Sequence, residues 1–390
     1  MELTWTVLGV AFILVGLVDV FFAVLQHDAI GFLTPKLYRW SWISARTLTQ
    51  PLPTGLRSSI RSLAAPGMVL LTLVVWLGTQ LLGFALVYYP GILGNEFAIG
   101  PHLRRSFGVA LYVSAVSLSS LGSVDVFPTT MAFRALAASE TLVGLGILTL
   151  TVSYLLNVYR VLQAQNTLAA ALHHQAEDGG DPRSILAPHF VDGRPEGLST
   201  HLREFHRSLV DQAEGMRRYP IVYYFQSRRA YRSIPYIFHM IGGVVAALRF
   251  GLPKDHPATL DPWLPPLTIG FGDVMREVED HFGPGVPRQR PEPVPFERFC
   301  AALDGETGDA VDERAEEFLA LDRFMRGLAD IDGPPDAEET YERYCTWLPF
   351  AVESREFVSA LARDLGTDLG QLEAEPETDP ADPVPPRRGR

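Results

Sequence analysis

Cysteine and the common nucleotide-binding motifs are scarce in this chain of 390 residues. Its two cysteines, Cys300 and Cys345, are far apart and follow no metal-ligand spacing. A disulfide framework and a zinc site are therefore excluded, and we expect two buried structural thiols in a reducing cytoplasm. No Gly-x-Gly-x-x-Gly follows a strand pattern, no P-loop is present and no catalytic constellation stands out. We accordingly expect no enzyme active site, no metal centre and no cofactor.

Charge is scarce in one half of the chain. Residues 1–165 hold nine of the 33 Lys/Arg residues and six of the 45 Asp/Glu residues, which leaves 24 basic and 39 acidic residues, a net charge of −15, in the remainder. A nearly neutral apolar half therefore precedes a strongly acidic, soluble half. Because nucleic acids are polyanions, this charge argues against them as partners.

Three apolar runs are long enough to cross a bilayer. They are residues 5–25, interrupted by Asp19, residues 68–89, which hold no charge, and residues 135–159, with Glu140 near the start. At about 1.5 Å per residue, each covers about 30 Å or more, the thickness of the hydrocarbon core. The first run lacks a basic n-region and a small-residue cleavage site, so we expect a retained anchor rather than a signal peptide.

Basic residues predict the orientation of these spans. Residues 27–66 carry five Lys/Arg and one acid. The positive-inside rule places this connection, and the charged domain after the third span, in the cytoplasm. The N-terminus then lies outside a multi-pass protein of the cell membrane. Tyr38, Trp40 and Trp42 are expected to anchor at the interface, and residues 56–65 suit either a helix along the inner surface or an ordinary linker helix.

Residues 104–160 contain a pattern that a simple span does not explain. A short apolar helix is predicted over residues 106–119, followed by a tight turn, Pro128 and the third span. Such a helix is too short to cross the bilayer and is expected to be re-entrant. Non-helical backbone at membrane depth is tolerated only where it is buried in protein or lines water, as in a pore loop.

This stretch resembles the pore domain of the potassium-channel superfamily over residues 67–160. The family filter usually reads Thr-Thr-Val-Gly-Tyr-Gly-Asp, and the matching positions are Ser119, Ser120, Leu121, Gly122, Ser123, Val124 and Asp125. Further residues at spacings similar to the family's are Tyr112, Pro128, Arg134, Glu140 and Gly144. The resemblance implies a homotetramer in the lipid bilayer that passes monovalent cations, potassium or sodium, through this loop.

Two filter positions depart from the family pattern. Val124 replaces the second glycine, and a β-branched residue in the left-handed region costs about 1–2 kcal/mol or more. Ser123 replaces the tyrosine whose ring braces the family's filter, and both changes argue against potassium selectivity. Asp125 and the C-terminal dipole end of the pore helix favour a cation. The alternative is a non-conducting, pore-like anchor or sensor whose cytoplasmic domain binds a partner.

A second filter-like sequence, Thr-Ile-Gly-Phe-Gly-Asp at residues 268–273, lies in the acidic half. Pro262, Pro265 and Pro266 precede it and charged residues 275–280 follow it. Proline breaks the helical hydrogen-bond ladder, so no pore helix is expected before it. We expect a glycine-rich turn that leads into a cytoplasmic helix.

Four residues within the spans are candidates for gating or bracing: Asp19, Glu140, Gly144 and Gly146. In the resembling family, a glycine near Gly144 and Gly146 lets the inner helix bend, while close packing of small residues is the alternative. Glu140 matches an acid common in the family and would brace the pore from behind. Asp19 would pair with a Ser, Tyr or Trp of the outer helix or take part in gating.

The acidic half is predicted to be mainly helical. Apolar residues recur at intervals of three and four over residues 202–218, 296–305, 311–331 and 339–365. Residues 236–250 form an apolar run that is short for a span and suits a buried or membrane-leaning helix. Strands and helices do not alternate, which disfavours a doubly wound nucleotide-binding fold.

The expected architecture is a mainly α membrane protein with three transmembrane helices, a re-entrant pore helix and a helical cytoplasmic domain for gating or assembly. The expected segments are an N-terminal span with its linker (1–66), a pore domain (67–164), a stalk and linker (165–200), a helical cytoplasmic domain (201–371) and a disordered tail (372–390).

Overall fold

Helices dominate the computed structural model, which describes residues 2–24, 34–51, 54–122, 125–176, 180–227, 229–286, 291–304 and 312–367. The helices are α1 (Glu2–Val24), α2 (Thr34–Thr49), α3 (Thr54–Leu93), α4 (Phe107–Leu118), α5 (Met131–Gln175), α6 (Leu198–Arg218), α7 (Ile234–Phe250), α8 (Leu264–Phe282), α9 (Phe296–Leu303), α10 (Glu313–Leu328) and α11 (Ala337–Leu365). Strands β1 (Phe97–Ile99) and β2 (Val126–Pro128) form one antiparallel pair, and β3 (Phe190–Val191) and β4 (Arg194–Pro195) form another.

The chain divides into two compact units. The membrane unit comprises Met1–Leu162 and Gly215–Phe225, and the C-terminal unit comprises Gln163–Glu214 and Gln226–Arg390. The sequence assigns residues 215–225 to the cytoplasmic domain, whereas the structure includes them in the membrane unit. The predicted tail, residues 372–390, lies outside the described residues.

Among the described residues, three helices are long and apolar enough to cross a membrane, over Leu3–Val24, Ile60–Leu93 and Met131–Gln175. The prediction of a mainly α protein with three spans is therefore confirmed. α1 and α3 approach closely at glycines, since a Cβ on Gly9 would lie 2.5 Å from the Gly83 carbonyl oxygen. Small residues at such a crossing let helix backbones pack tightly in lipid.

The connection before the second span is helical. α3 runs without a break from Thr54 through Pro66, and both alternatives for residues 56–65 stay predictions. The separate helix is α2, whose Tyr38 and Trp42 are buried in the membrane unit while Trp40 is 70% exposed. Of these three aromatic residues, only Trp40 keeps the exposure expected of an interfacial anchor.

The core of the C-terminal unit forms around α7, which packs against α8, α10 and α11. The apolar run at residues 236–250 is thus a buried helix, the first of the two alternatives. A buried ion pair supports the same core, with Arg343 Nη2 2.6 Å from Asp322 Oδ1. Cys300 and Cys345 are free thiols of intermediate exposure, so the expectation of buried thiols is wrong.

The filter-like residues 268–273 are helical, and the prediction of a glycine-rich turn there is wrong. They lie inside α8, and Thr268 Oγ1 donates to the Leu264 carbonyl oxygen at 2.8 Å. Pro265 and Pro266 stand in the first turn of α8. Proline starts a helix readily at that position, because the N–H it lacks has no partner there anyway.

Candidate pore site

The half-length helix α4 is built into the membrane unit by its apolar face. Val109, Ala110 and Val113 are buried in one cluster with Phe84 and Tyr88 of α3. At about 1.5 Å per residue, its 12 residues span about 18 Å, well short of a bilayer. The helix therefore enters the span region without crossing it.

The C-terminal end of α4 contacts the third span well inside that helix. A Cβ on Gly144 would lie 2.2 Å from the Leu118 carbonyl oxygen, so only glycine admits this approach. Gly144 is about 20 Å from the start of α5 at about 1.5 Å per residue. Beyond α4 the chain returns to β2, which pairs with β1 before α5 begins. The segment between the second and third spans is thus re-entrant.

The end of α4 closes with a Schellman motif. Ser120 adopts a left-handed conformation with φ of 60°, its N–H donates to the Ser117 carbonyl, and the Leu121 N–H donates to the Val116 carbonyl at 3.1 Å. Thr141 Oγ1 also donates to the Ser117 carbonyl at 3.0 Å. The carbonyls of Val116 and Ser117 are therefore already engaged within the protein.

The predicted filter residues follow directly after this motif. Ser119, Ser120, Leu121 and Gly122 are exposed, with Leu121 80% exposed, and Gly122 has the left-handed φ of 75° that suits glycine. The decisive positions Ser123 and Val124 lie outside the described residues. Asp125 is exposed, and its carbonyl accepts the Gly100 N–H at 2.8 Å, which extends the β1–β2 ladder by one pair. Their predicted role in conduction stays a prediction.

Glu140 joins three helices behind the loop. Its fully buried carboxyl accepts the Tyr88 hydroxyl of α3 at 2.6 Å and lies 2.5 Å from Ser114 Oγ of α4. Ser114 Oγ is also 3.0 Å from the Leu81 carbonyl oxygen. This arrangement is a brace of the kind the resemblance implies, although the sequence analysis identified neither Tyr88 nor Ser114. A serine within a helix of apolar residues was the available signal.

The two glycines of the third span have different surroundings. Gly144 meets the end of α4, which is the close-packing alternative, whereas a Cβ on Gly146 would meet nothing within 4 Å. Gly146 lines an apolar groove of about 470 Å³ between α1 and α5. A hinge at either glycine stays a prediction.

Asp19 is buried where α1, α2 and α3 meet. Its Oδ2 accepts Trp76 Nε1–H at 2.9 Å and the Thr34 hydroxyl at 2.8 Å. Pairing with a tryptophan of the outer helix is one of the partners that the sequence allows. Because these contacts tie three helices together, they make Asp19 a structural centre of the membrane unit, and its gating role stays a prediction.

Comparison with known proteins supports the pore assignment. Residues 71–161, which run from α3 into α5, match the family model described as an ion channel. The chain is 21% identical to an uncharacterized membrane protein, YdjJ, of Bacillus subtilis (strain 168), over 260 residues that cover 65% of this chain and 72% of that protein. No solved structure matches the chain. The resemblance to the potassium-channel superfamily is confirmed for this segment, and the three long apolar helices agree with a membrane protein.

Proposed function

We propose that the protein is a homotetrameric channel of the cell membrane that conducts monovalent cations past the loop Ser119 to Asp125. The observation that supports this most directly is the re-entrant α4, whose end meets Gly144 inside the third span before the chain returns to the strand pair β1–β2. Backbone in that position needs protein or water around it rather than lipid. Four copies around one axis supply protein on the outside of the loop and water along the axis. The proposed function is non-enzymatic.

The loop suits weak discrimination between potassium and sodium. Potassium filters use rows of backbone carbonyls that replace the hydration shell of the ion. Here Val124 replaces the second glycine and Ser123 the tyrosine of the family filter, so an intact row of carbonyls is not expected. The ion therefore keeps part of its water, and the Asp125 carboxylate at the mouth selects for positive charge.

α5 carries a surface suited to facing a symmetry axis or a neighbouring chain. Its buried residues repeat as Glu140, Gly144, Ile147, Thr151, Tyr154 and Val158, and its exposed residues repeat as Leu142, Leu145, Thr149, Val152, Leu156 and Tyr159. Spacings of three and four place each set on one face of the helix. The C-terminal unit would control assembly or gating from the cytoplasm, with the N-terminus outside.

Cation flux into liposomes tests the proposal. Purified protein should carry potassium and sodium at rates within about tenfold of each other. An ion that keeps part of its hydration water depends little on the exact spacing of the protein oxygens, so the two ions are discriminated weakly. Asp125→Asn should lower cation flux several-fold, and Glu96→Gln, an exposed outer-loop acid outside the filter, should not. No flux of either cation from intact oligomers would overturn conduction.

A non-conducting anchor is the second candidate, and the closed end of α4 favours it. Engaged carbonyls at the helix end and an exposed Leu121 side chain are both compatible with an apolar plug. In that case the C-terminal unit binds a partner, and Leu121→Ala leaves the protein without flux. The channel proposal instead expects flux in both the parent and this variant.

A further inference from the structure

Residues 215–225 form a contact region that neither the ion-channel match nor the pore loop accounts for. They comprise the last turn of α6, Tyr219, a short 3-10 helix (Pro220–Tyr224) and Phe225, and we call them the clasp. Ile221, Val222 and Tyr223 are fully buried in it. In sequence, the clasp is flanked on both sides by residues of the C-terminal unit.

The clasp contacts residues 154–161 of α5. The Tyr219 ring lies edge-on to the Tyr154 ring at 5.6 Å, and the Phe225 ring lies 6.3 Å from that of Tyr159. A Cβ on Gly215 would lie 2.5 Å from Val161 Cγ1, so Gly215 permits direct contact with α5. Tyr154 and Val161 lie on one face of the helix, seven positions apart.

The Tyr154 side chain that contacts the clasp is also held by α2 and α3. The Tyr154 hydroxyl lies 2.9 Å from the Tyr38 hydroxyl of α2, and the Tyr154 ring is 6.2 Å from that of Trp76. Trp76 donates in turn to Asp19. The clasp also reaches α2 directly, with Tyr224 5.5 Å from Trp42. Residues 154–161 of α5 thus contact both the clasp and this group of buried polar and aromatic side chains.

We propose that the clasp transmits the state of the C-terminal unit to α5, with Gly215, Tyr219 and Phe225 as positioning residues for gating. α6 is continuous from Leu198 to Arg218, so a displacement of its first turns moves Gly215 with it. When Tyr219 moves away from Tyr154, the face of α5 that carries Tyr154 loses this contact and can move. This inference rests on the proposed channel function for its effect on conduction but not for its effect on α5 itself.

Amide hydrogen exchange of the full chain in lipid nanodiscs tests the contact between the clasp and α5 independently of ion conduction. Tyr219→Ala should speed exchange at residues 152–162 at least tenfold and leave α1 unchanged. The matched control is Tyr231→Ala, a tyrosine stacked on His173 in the C-terminal unit, which should leave residues 152–162 unchanged. Equal exchange in the parent and Tyr219→Ala, in protein that remains folded, would overturn the clasp.

A reversible cross-link tests the link to gating. A Cβ on Gly215 would lie 3.5 Å from Val161 Cβ, which is within the range for a disulfide. In a background of Cys300→Ser and Cys345→Ser, the pair Val161→Cys and Gly215→Cys should oxidise to a disulfide detectable by mass spectrometry. Cation flux should then change at least fivefold between the oxidised and reduced forms, while Val161→Cys alone shows no such change.

The outcomes separate the two proposals. A complete disulfide with the same flux before and after reduction would overturn transmission through the clasp and leave conduction intact. Failure of a folded protein to form the disulfide would overturn the contact itself. Absence of flux in the parent would overturn the channel and gating together, and the exchange experiment would still decide whether residues 215–225 restrain α5.

Discussion

Glu140 in the membrane unit and Asp322 in the C-terminal unit are both buried carboxyl groups, yet their partners differ in charge. Glu140 is held by the hydroxyls of Tyr88 and Ser114, whereas Asp322 is held by the guanidinium of Arg343. A buried cation is expensive inside a bilayer, while hydroxyl donors add no charge. The difference teaches that a buried acid is held by uncharged hydroxyl groups in one environment and by a cation in the other.

Ser114 ties Glu140 to α3 as well as to α4. Its single hydroxyl proton lies within hydrogen-bonding distance of two acceptors, the Leu81 carbonyl and the Glu140 carboxyl. Glutamine at position 140 keeps an acceptor oxygen for these hydroxyls and is therefore a close substitute.

The largest expected effect is on the ion pair. Asp322→Asn leaves the Arg343 charge buried without its counter-ion, so it should lower the free energy of unfolding by about 3–5 kcal/mol. Chemical denaturation followed by tryptophan fluorescence measures the loss. Asp273→Asn removes an exposed pair with Arg276 and should cost about 1 kcal/mol or less. Equal losses for the two variants would contradict the distinction.

Glu140→Ala should have the next largest effect. It leaves the Tyr88 and Ser114 hydroxyls without their acceptor, at about 1–3 kcal/mol for a buried polar group that loses its partner. Glu140→Gln should lose clearly less, since the amide keeps an acceptor oxygen and supplies donors. Thermal stability in nanodiscs compares the three proteins. A glutamine variant as unstable as the alanine variant would show that the charge of Glu140 matters after all.

Gly144→Ala tests the packing that brings Ser114 to Glu140. The added methyl would meet the Leu118 carbonyl at 2.2 Å, and overpacking of this kind costs about 1–3 kcal/mol. Gly146→Ala is the matched control: its Cβ meets open space, and alanine favours a helix by up to about 1 kcal/mol. Opposite signs of the shift in melting temperature are expected. A destabilised Gly146→Ala would instead point to a hinge or to a close contact in the assembly.

The smallest expected effect is a pH dependence confined to the C-terminal unit. Burial, together with the neighbouring His189, lowers the pKa of His201 below its usual value of about 6.5. The unfolded chain then binds a proton that the folded unit resists, so stability should fall as the pH drops through 6.5. Unfolding at pH 7.5 and 5.5 measures this slope, and His201→Gln should flatten it. Identical slopes would rule out His201 as the source.

Local patterns predict the spans and most helices, because hydropathy and three-to-four spacing are properties of short segments. They also predict the re-entrant α4, since its length is short of a bilayer. The error at residues 268–273 came from treating Pro265 and Pro266 as breakers when they begin α8. The contacts of Tyr88 with Glu140 and of Tyr219 with Tyr154 join residues distant in sequence, and no periodicity reports such pairs. The φ of Ser120 likewise depends on how α4 ends against α5.

The strand pair β1–β2 determines whether each subunit supports its own loop or depends on a neighbouring subunit. Each chain ties the exit of its own loop to its own residues 97–99, so no protomer borrows this support from a neighbour. In the proposed homotetramer, assembled from parent and altered chains, a defect at this rim should therefore accumulate gradually with the number of altered copies. A single faulty copy would weaken one quadrant of the entrance and leave the other three intact.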